Sequence, residues 1–99
     1  MMLESFSTRN VREFAENLAQ DLAKRYPPAI ANSPTQMVSQ QRLSVILEAI
    51  FARAAEFKRE NQLGWYKKAR LDNIFRRELE EMGYEEKFIA VVKEGLRAR

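Results

Sequence analysis

The 99-residue sequence contains no cysteine and no histidine. The lack of cysteine excludes disulfides and thiolate chemistry, although it leaves the redox compartment open. The lack of histidine removes imidazole acid–base chemistry, Ser-His triads and the usual nitrogen ligands of zinc. Together these absences favour a protein that is not an enzyme and that has no catalytic residues, no metal site and no cofactor.

Glycine and long apolar runs are also scarce. The three glycines are isolated, so no glycine-rich loop can hold a phosphate group. No run approaches the roughly 18 apolar residues that a membrane-spanning helix needs, and residues 1–10 lack the apolar core of a signal peptide. We therefore expect a soluble, cytoplasmic protein with no membrane contact and no small-molecule substrate.

The charge balance is only mildly basic. Seventeen Lys and Arg residues against 14 Asp and Glu residues give a net charge of +3. A dedicated nucleic-acid binder carries a denser positive surface. The length and the apolar fraction of 45% suit one domain with its own core, so residues 1–99 are predicted to form a single helical domain.

Apolar residues recur at spacings of three and four along most of the chain, and no segment alternates with a period of two. This pattern predicts an all-α fold, a small four-helix bundle with helices at about 10–26, 34–61, 66–82 and 85–97. Asn10 is the predicted N-cap of the first helix, with residues 1–9 as a loosely attached lead-in.

The second predicted helix is the long central one. Its start is indicated by Ser33 as a cap and Pro34 at the first helical position. Over 34–61 it would be about 40 Å long, longer than the roughly 35 Å diameter expected for a domain of this size. One face carries the apolar residues Leu43, Ile46, Leu47, Ile50, Phe51, Ala54 and Phe57. The other helices are therefore expected to pack along it.

Turn residues separate the last three helices. Gly64 and Gly83 each follow a predicted helix end, where a left-handed backbone conformation favours glycine. Trp65, directly after Gly64, is predicted to close the end of the bundle with its ring. In the last helix we expect Phe88, Val91 and Val92 to be buried.

One face of the third predicted helix is a candidate binding site. Tyr66, Arg70, Asn73 and Arg77 follow one another at helical spacing, on the side away from the apolar face. Such a row could bind phosphates and stack a base, or meet an acidic protein surface. The alternative is a solvated face with helical ion pairs, at Lys68–Asp72, Arg76–Glu80 and Arg77–Glu81.

A second, weaker apolar stripe lies on the long helix, opposite its main apolar face. It consists of Met37, Val38, Val45, Ala49 and Ala52. The seven-residue spacing of Val38, Val45 and Ala52 suits a seam with another helix, and small residues allow close approach. The alternative is a set of surface residues that only favour helix formation.

These patterns give two functional hypotheses. The first is a non-enzymatic protein–protein interaction module that self-associates through the second helix, as a homodimer or with another protein as partner. The second is a nucleic-acid-binding module that contacts the phosphate backbone through the third helix.

Overall fold

The computed structural model describes residues 2–33 and 39–99, with side chains described from residue 9 onward. This part of the chain forms five helices: α1 (Met2–Arg25), α2 (Pro28–Ala31), α3 (Gln40–Glu60), α4 (Trp65–Met82) and α5 (Glu86–Arg97). No strand occurs within these described ranges. The prediction of a small all-α bundle is confirmed, with four long helices and one additional short turn of helix.

The four long helices pack in a ring in which α1 contacts α4 and α3, and α5 contacts the same two helices. The most extensive contact joins α1 and α4, which run in the same direction. Val11 lies near Trp65 at one end, and Tyr26 contacts Tyr84 at the other. The bundle is thus organised around the α1–α4 pair as well as around α3.

Helix α1 begins well before its predicted start. It includes residues 2–9, so Asn10 lies inside the helix and is not its N-cap. The physical reason is that residues 2–9 contain neither proline nor glycine, and nothing interrupts the backbone hydrogen bonding at Asn10. Its end at Arg25 agrees closely with the prediction, because two prolines follow Tyr26.

The segment between α1 and α3 contains a short helix, where the sequence predicted only a connection. Helix α2 begins with Pro28, whose fixed φ and missing N–H suit a first helical position. It ends at Ala31, and Asn32 follows as its C-cap.

Helix α3 begins at Gln40, later than the predicted residue 34. Ser39 has an extended backbone (φ −61°, ψ 149°), and its side chain accepts a hydrogen bond from the Arg42 backbone N–H at 3.1 Å. Ser39 is therefore the N-cap, and the helix cannot continue backward through it. The predicted start at Pro34, with Met37 and Val38, lies outside the described residues. The 21 residues of α3 extend over about 31 Å.

The core is formed by one side of each long helix. Its members are fully or nearly fully buried: Val11, Ala15, Leu18, Ala19, Leu22, Tyr26, Leu47, Ile50, Phe51, Ala54, Leu71, Phe75, Leu79, Tyr84, Ile89, Val92 and Leu96. Ala15 and Ala19 are completely buried, and their small side chains allow close packing of α1. The predicted apolar face of α3 is buried in its middle, whereas Leu43, Ile46 and Phe57 are only partly covered.

In α5 the buried residues are Ile89, Val92 and Leu96, while Phe88 is partly buried. The prediction that Val91 is buried is wrong, because 59% of its surface is exposed. At about 100° per residue, Val91 points roughly 160° away from Ile89.

Two of the three glycines have a specific backbone role. Gly83 has φ 100° and ends α4, as predicted. The prediction for Gly64 is wrong: its φ is −76° and it serves as the N-cap of α4, while Gln62 takes the left-handed conformation with φ 50°. Gly95 was not singled out from the sequence, but a Cβ atom there would collide with the Phe51 ring. Its lack of a side chain lets α3 and α5 pack closely.

Candidate self-association surface

One end of the bundle is closed by long-range hydrogen bonds. The Asn32 side-chain amide donates to the Gly83 carbonyl at 2.8 Å, and its side-chain oxygen accepts from the Glu85 backbone N–H at 3.2 Å. Both contacts fall on the turn between α4 and α5. The Gly83 carbonyl and the Glu85 N–H lie at helix ends, where backbone groups have no partner within the helix. Asn32 binds both and so attaches the connection after α1 to the α4–α5 turn.

Two tyrosines complete this closed end. The Tyr84 hydroxyl donates to the Tyr26 carbonyl at 2.6 Å, and the Tyr84 ring stacks on Phe88 with 5.1 Å between ring centroids. Burial, with a smaller effect from Tyr26, raises the pKa of Tyr84 to about 12. At this end both tyrosine rings are buried and the Tyr84 hydroxyl is paired, so these groups contribute to packing.

A charged pair lies inside the opposite half of the molecule. Lys58 is only 4% exposed, and its Nζ lies 3.2 Å from Asp72 Oδ1 and donates to the Leu96 carbonyl at 3.1 Å. The Nζ–Oδ1 approach lacks hydrogen-bond direction, and Asp72 Oδ1 has no other hydrogen-bond partner among the described residues. Burial raises the pKa of Asp72, although the neighbouring Lys58 acts in the opposite direction. This pair joins α3, α4 and α5, and the more distant charges of Arg97 and Lys93 also lower the pKa of Asp72, less than Lys58 does.

The predicted binding row on α4 does not form one free basic face. Tyr66, Asn73 and Arg77 are exposed, whereas Arg70 is half-buried. Arg70 and Arg77 line a shallow groove of about 240 Å³ between α1 and α4. The structure therefore brings only two of the four residues together in one concave surface.

Carboxylates balance the guanidinium groups in this groove. Three arginines, Arg12, Arg70 and Arg77, share it with three glutamates, Glu16, Glu78 and Glu81. Burial raises the pKa of Glu78, and the carboxylates of Glu16 and Glu81 add to this rise, while Arg77 lowers it. Arg70 Nε is buried without a hydrogen-bond partner in the described part of the chain. The balanced charges do not favour phosphate binding, which stays a prediction from the sequence.

The ion pairs predicted on α4 form only in part. Arg76 Nη1 lies 2.7 Å from Glu80 Oε2, as the spacing predicted. Asp72 does not serve as the partner of Lys68, because it faces inward and contacts Lys58.

The aromatic pair at the start of α4 is exposed. Trp65 is 82% and Tyr66 61% exposed, and their rings meet edge to face with centroids 6.0 Å apart. The prediction that Trp65 closes the end of the bundle is wrong. The α3–α4 turn has its own apolar residue, Leu63, packed against the core. The two rings border a hollow of about 280 Å³ that also includes Asn10 and Gln62.

The outer flank of α3 is the surface that matches the first hypothesis from the sequence, self-association through the second predicted helix. We use this name for Val45, Ala49 and Ala52, the described part of the predicted stripe. Val45 is 67% exposed, Ala52 is exposed and Ala49 is half-buried. Val45 and the completely buried Ala54 are nine residues apart, which places them on opposite sides of the helix at about 100° per residue. The flank therefore faces away from α1 and α5.

A second apolar surface lies between α3 and α5. It is a groove of about 430 Å³ whose lining includes Leu43, Leu47, Phe51, Phe88 and Val91. Val91 stands at its border as one of the exposed large apolar residues. This groove could not be predicted from the sequence, because its shape depends on how two helices that are distant in sequence lie side by side.

Within residues 2–33 and 39–99, no three acidic side chains come together in a way that could hold a metal ion. In the same ranges, no helix is both long enough and apolar enough to cross a membrane.

Comparison with known proteins adds no relative. No protein-family model matches the sequence, and neither the curated proteins nor the solved structures yield a match.

Proposed function

We propose that this chain is a non-enzymatic, cytoplasmic protein–protein interaction module that forms a homodimer through the outer flank of α3. The observation that carries the proposal is the exposure of Val45, at 67%, on the same side of a long helix as the small residues Ala49 and Ala52. Burying such a side chain against a second copy removes apolar surface from water. The mild net charge of +3 opposes association of two copies only weakly.

The helix is suited to this role because its other side is already fixed. Ile50 and Ala54 are completely buried, and Phe51 packs against Gly95 of α5. Helix α3 is thus held in place before any partner arrives, and little ordering entropy is lost on association. Ala49 and Ala52 allow the axes of two helices to approach to about 8 Å.

The expected dimer is a weak one. A single pair of helices of about 31 Å buries less than the roughly 1,200 Å² of a standard stable interface. We therefore expect a dissociation constant in the range of about 1 μM to 1 mM.

Sedimentation equilibrium with two valine substitutions tests the proposal. Val45→Glu places a carboxylate in the seam twice, once from each copy, and we expect it to weaken the dimer at least about thirtyfold. Val91→Glu is the matched control, because Val91 is similarly exposed, at 59%, but borders the groove between α3 and α5. It should leave the dimer unchanged.

The two variants also separate the competing outcomes. If Val91→Glu dissociates the dimer and Val45→Glu does not, the groove is the interface and the proposal is wrong. A wild-type chain that stays at its monomer mass of 11.6 kDa up to about 1 mM also contradicts it. Circular dichroism of both variants should show unchanged helix content, because both positions are exposed.

A further inference from the structure

Two opposite charges mark the ends of the outer flank. Arg42, Ala49 and Glu56 are spaced by seven residues, so they lie almost in one line along α3. Both charged residues are exposed. Ala49 thus stands midway between a guanidinium and a carboxylate on the same side of the helix.

Among the residues that the structure describes, no ion pair within 4.0 Å involves Arg42 or Glu56. Glu48, Arg53 and Lys58 of the same helix do form ion pairs, whereas Arg59 and Glu60 form none among the described residues. Arg53 Nη1 lies 2.6 Å from Asp21 Oδ2, and Glu48 accepts from the Arg99 guanidinium at 2.8 Å.

From this arrangement we infer that two copies of the chain pair antiparallel along the outer flank of α3, about a two-fold axis near Ala49. The inference rests on the proposed homodimer and gives its geometry. In this arrangement Arg42 of each copy faces Glu56 of the other, so the symmetry creates two ion pairs. The two pairs enclose the apolar seam at its ends.

The same register also matches side-chain sizes. With Ala49 on the axis, Val45 of one copy lies only about 1.5 Å along the axis from Ala52 of the other, so a larger side chain meets a smaller one. Parallel pairing would instead bring Arg42 beside Arg42 and Glu56 beside Glu56. Like charges at such positions are unfavourable, and Val45 would face its own copy while Ala52 left a gap.

A distance between spin labels tests the orientation directly. The chain has no cysteine, so Gln41→Cys gives the only thiol in residues 1–99 and therefore one labelling site. In the antiparallel dimer the two labelled positions lie about 24 Å apart along the axis. In a parallel dimer they lie about 8–10 Å apart. A pulsed dipolar distance centred in the longer range supports the inference, and strong short-range broadening overturns it.

Charge reversal provides a second, independent test. Arg42→Glu and Glu56→Arg each replace two attractive contacts with two repulsive ones, and we expect each to weaken the dimer about tenfold. The double variant restores the attraction in the antiparallel dimer, so its affinity should return to within about threefold of wild type. In a parallel dimer each residue meets its own copy, so each single variant exchanges one like-charge contact for another and should not weaken the dimer; unchanged affinity of the single variants would therefore overturn the antiparallel arrangement.

Failure of the orientation and failure of the dimer give different results. A labelled chain that stays monomeric by sedimentation contradicts the proposed function. A labelled chain that is dimeric but shows the short distance contradicts only the antiparallel arrangement. Glu60→Arg is the control for the charge test, because Glu60 is also exposed but pairs with no residue of α3 in this register.

Discussion

The inner and outer sides of α3 both carry apolar and charged side chains, but those on the inner side are buried and those on the outer side are exposed. On the inner side, Phe51 packs against Gly95 and the charged Lys58 is buried beside Asp72. On the outer side, Val45 faces solvent and Arg42 has no ion-pair partner within the described residues. The two sides of α3 should therefore differ in the property that a substitution changes. Changes on the inner side should alter the free energy of unfolding, and changes on the outer side should alter association.

The largest effect on unfolding is expected from the buried ion pair. Asp72→Ala leaves the Lys58 ammonium group buried without its counter-charge, which should lower the free energy of unfolding by about 3–5 kcal/mol. Urea unfolding followed by circular dichroism measures this loss. The dimer mass, measured where the variant is still folded, should not change.

The control is a pair of similar chemistry on the surface. Glu80→Ala removes the partner of Arg76, and because both side chains are partly exposed, it should cost less than about 1 kcal/mol. In the double variant Lys58→Met with Asp72→Leu, stability should recover to near the wild-type value. Equal losses for Asp72→Ala and Glu80→Ala would show that the Lys58–Asp72 pair is not buried.

The closed end should contribute to the free energy of unfolding independently of α3, and this contribution depends on pH. Because the pKa of Tyr84 is raised from 10.0 to about 12, the folded state holds this proton more tightly than the unfolded state. The resulting stability is fully present below pH 10 and is lost as the pH rises toward 12. The loss should reach about 2–3 kcal/mol.

Urea unfolding at several pH values between 9 and 12 measures this dependence. Tyr84→Phe removes both the titrating group and its hydrogen bond to the Tyr26 carbonyl. The variant should be less stable than wild type by about 1 kcal/mol at neutral pH, and the difference should shrink or reverse by pH 12. Parallel curves for the two proteins would contradict the role assigned to Tyr84.

A smaller loss is expected where α3 and α5 meet most closely. Gly95→Ala brings a methyl group into collision with the Phe51 ring. This overpacking should lower the free energy of unfolding by about 1–3 kcal/mol. Gly64→Ala is the control for added volume, because a Cβ there meets nothing within 4 Å and the expected cost is only the roughly 0.5 kcal/mol by which alanine is a poorer N-cap than glycine. The double variant Gly95→Ala with Phe51→Leu should recover part of the loss. A Gly95→Ala protein as stable as wild type would show that α5 is not held against Phe51.

The smallest effect on unfolding is expected on the outer flank. Val45→Ala removes an exposed side chain, so the free energy of unfolding of the dilute monomer should change by no more than about 0.5 kcal/mol. The dimer, however, should weaken about threefold to tenfold, because two valines are lost from the seam. A clear loss of monomer stability without a change in association would reverse the roles of the two sides of α3.

The helical periodicity of the sequence was enough to predict the fold class and most helix ends. Three- and four-residue spacing marked α4 and α5 almost to their observed bounds, because Gly83 and the residues around it form a strong local end signal. The start of α3 was harder to predict, because Ser33 and Pro34 form a more obvious start signal than Ser39, the observed N-cap. Local sequence does not reveal which of two plausible caps is used.

Contacts between distant residues were beyond prediction from one sequence. Asn32 binds residues 51 and 53 positions away, and no local pattern indicates such a pairing. Lys58 could have been found, because it follows Ala54 by four residues and Phe51 by seven and so lies on the inner side of α3. Its exclusion from the predicted core reflects its charge, although its long apolar stem can be buried.

Of the candidate sites, the outer flank of α3 was the more predictable from the sequence. A helical wheel places Val45, Ala49 and Ala52 opposite the core, and this placement requires no knowledge of the other helices. The surroundings of Arg70 and Arg77 do require it, because the glutamate that faces them from α1, Glu16, is more than 50 residues away in sequence.

The most direct test of the central claim is a dilution series of the wild-type protein followed by two-dimensional ¹H–¹⁵N NMR. Backbone amide signals of residues at a self-association surface change with concentration, and the assigned signals locate that surface without any substitution. We predict that the concentration-dependent shifts cluster at residues 42–56 on the outer side of α3, around Val45, Ala49 and Ala52. Spectra that do not change with concentration, or changes confined to Trp65 and Tyr66 or to the groove beside Val91, would contradict the account.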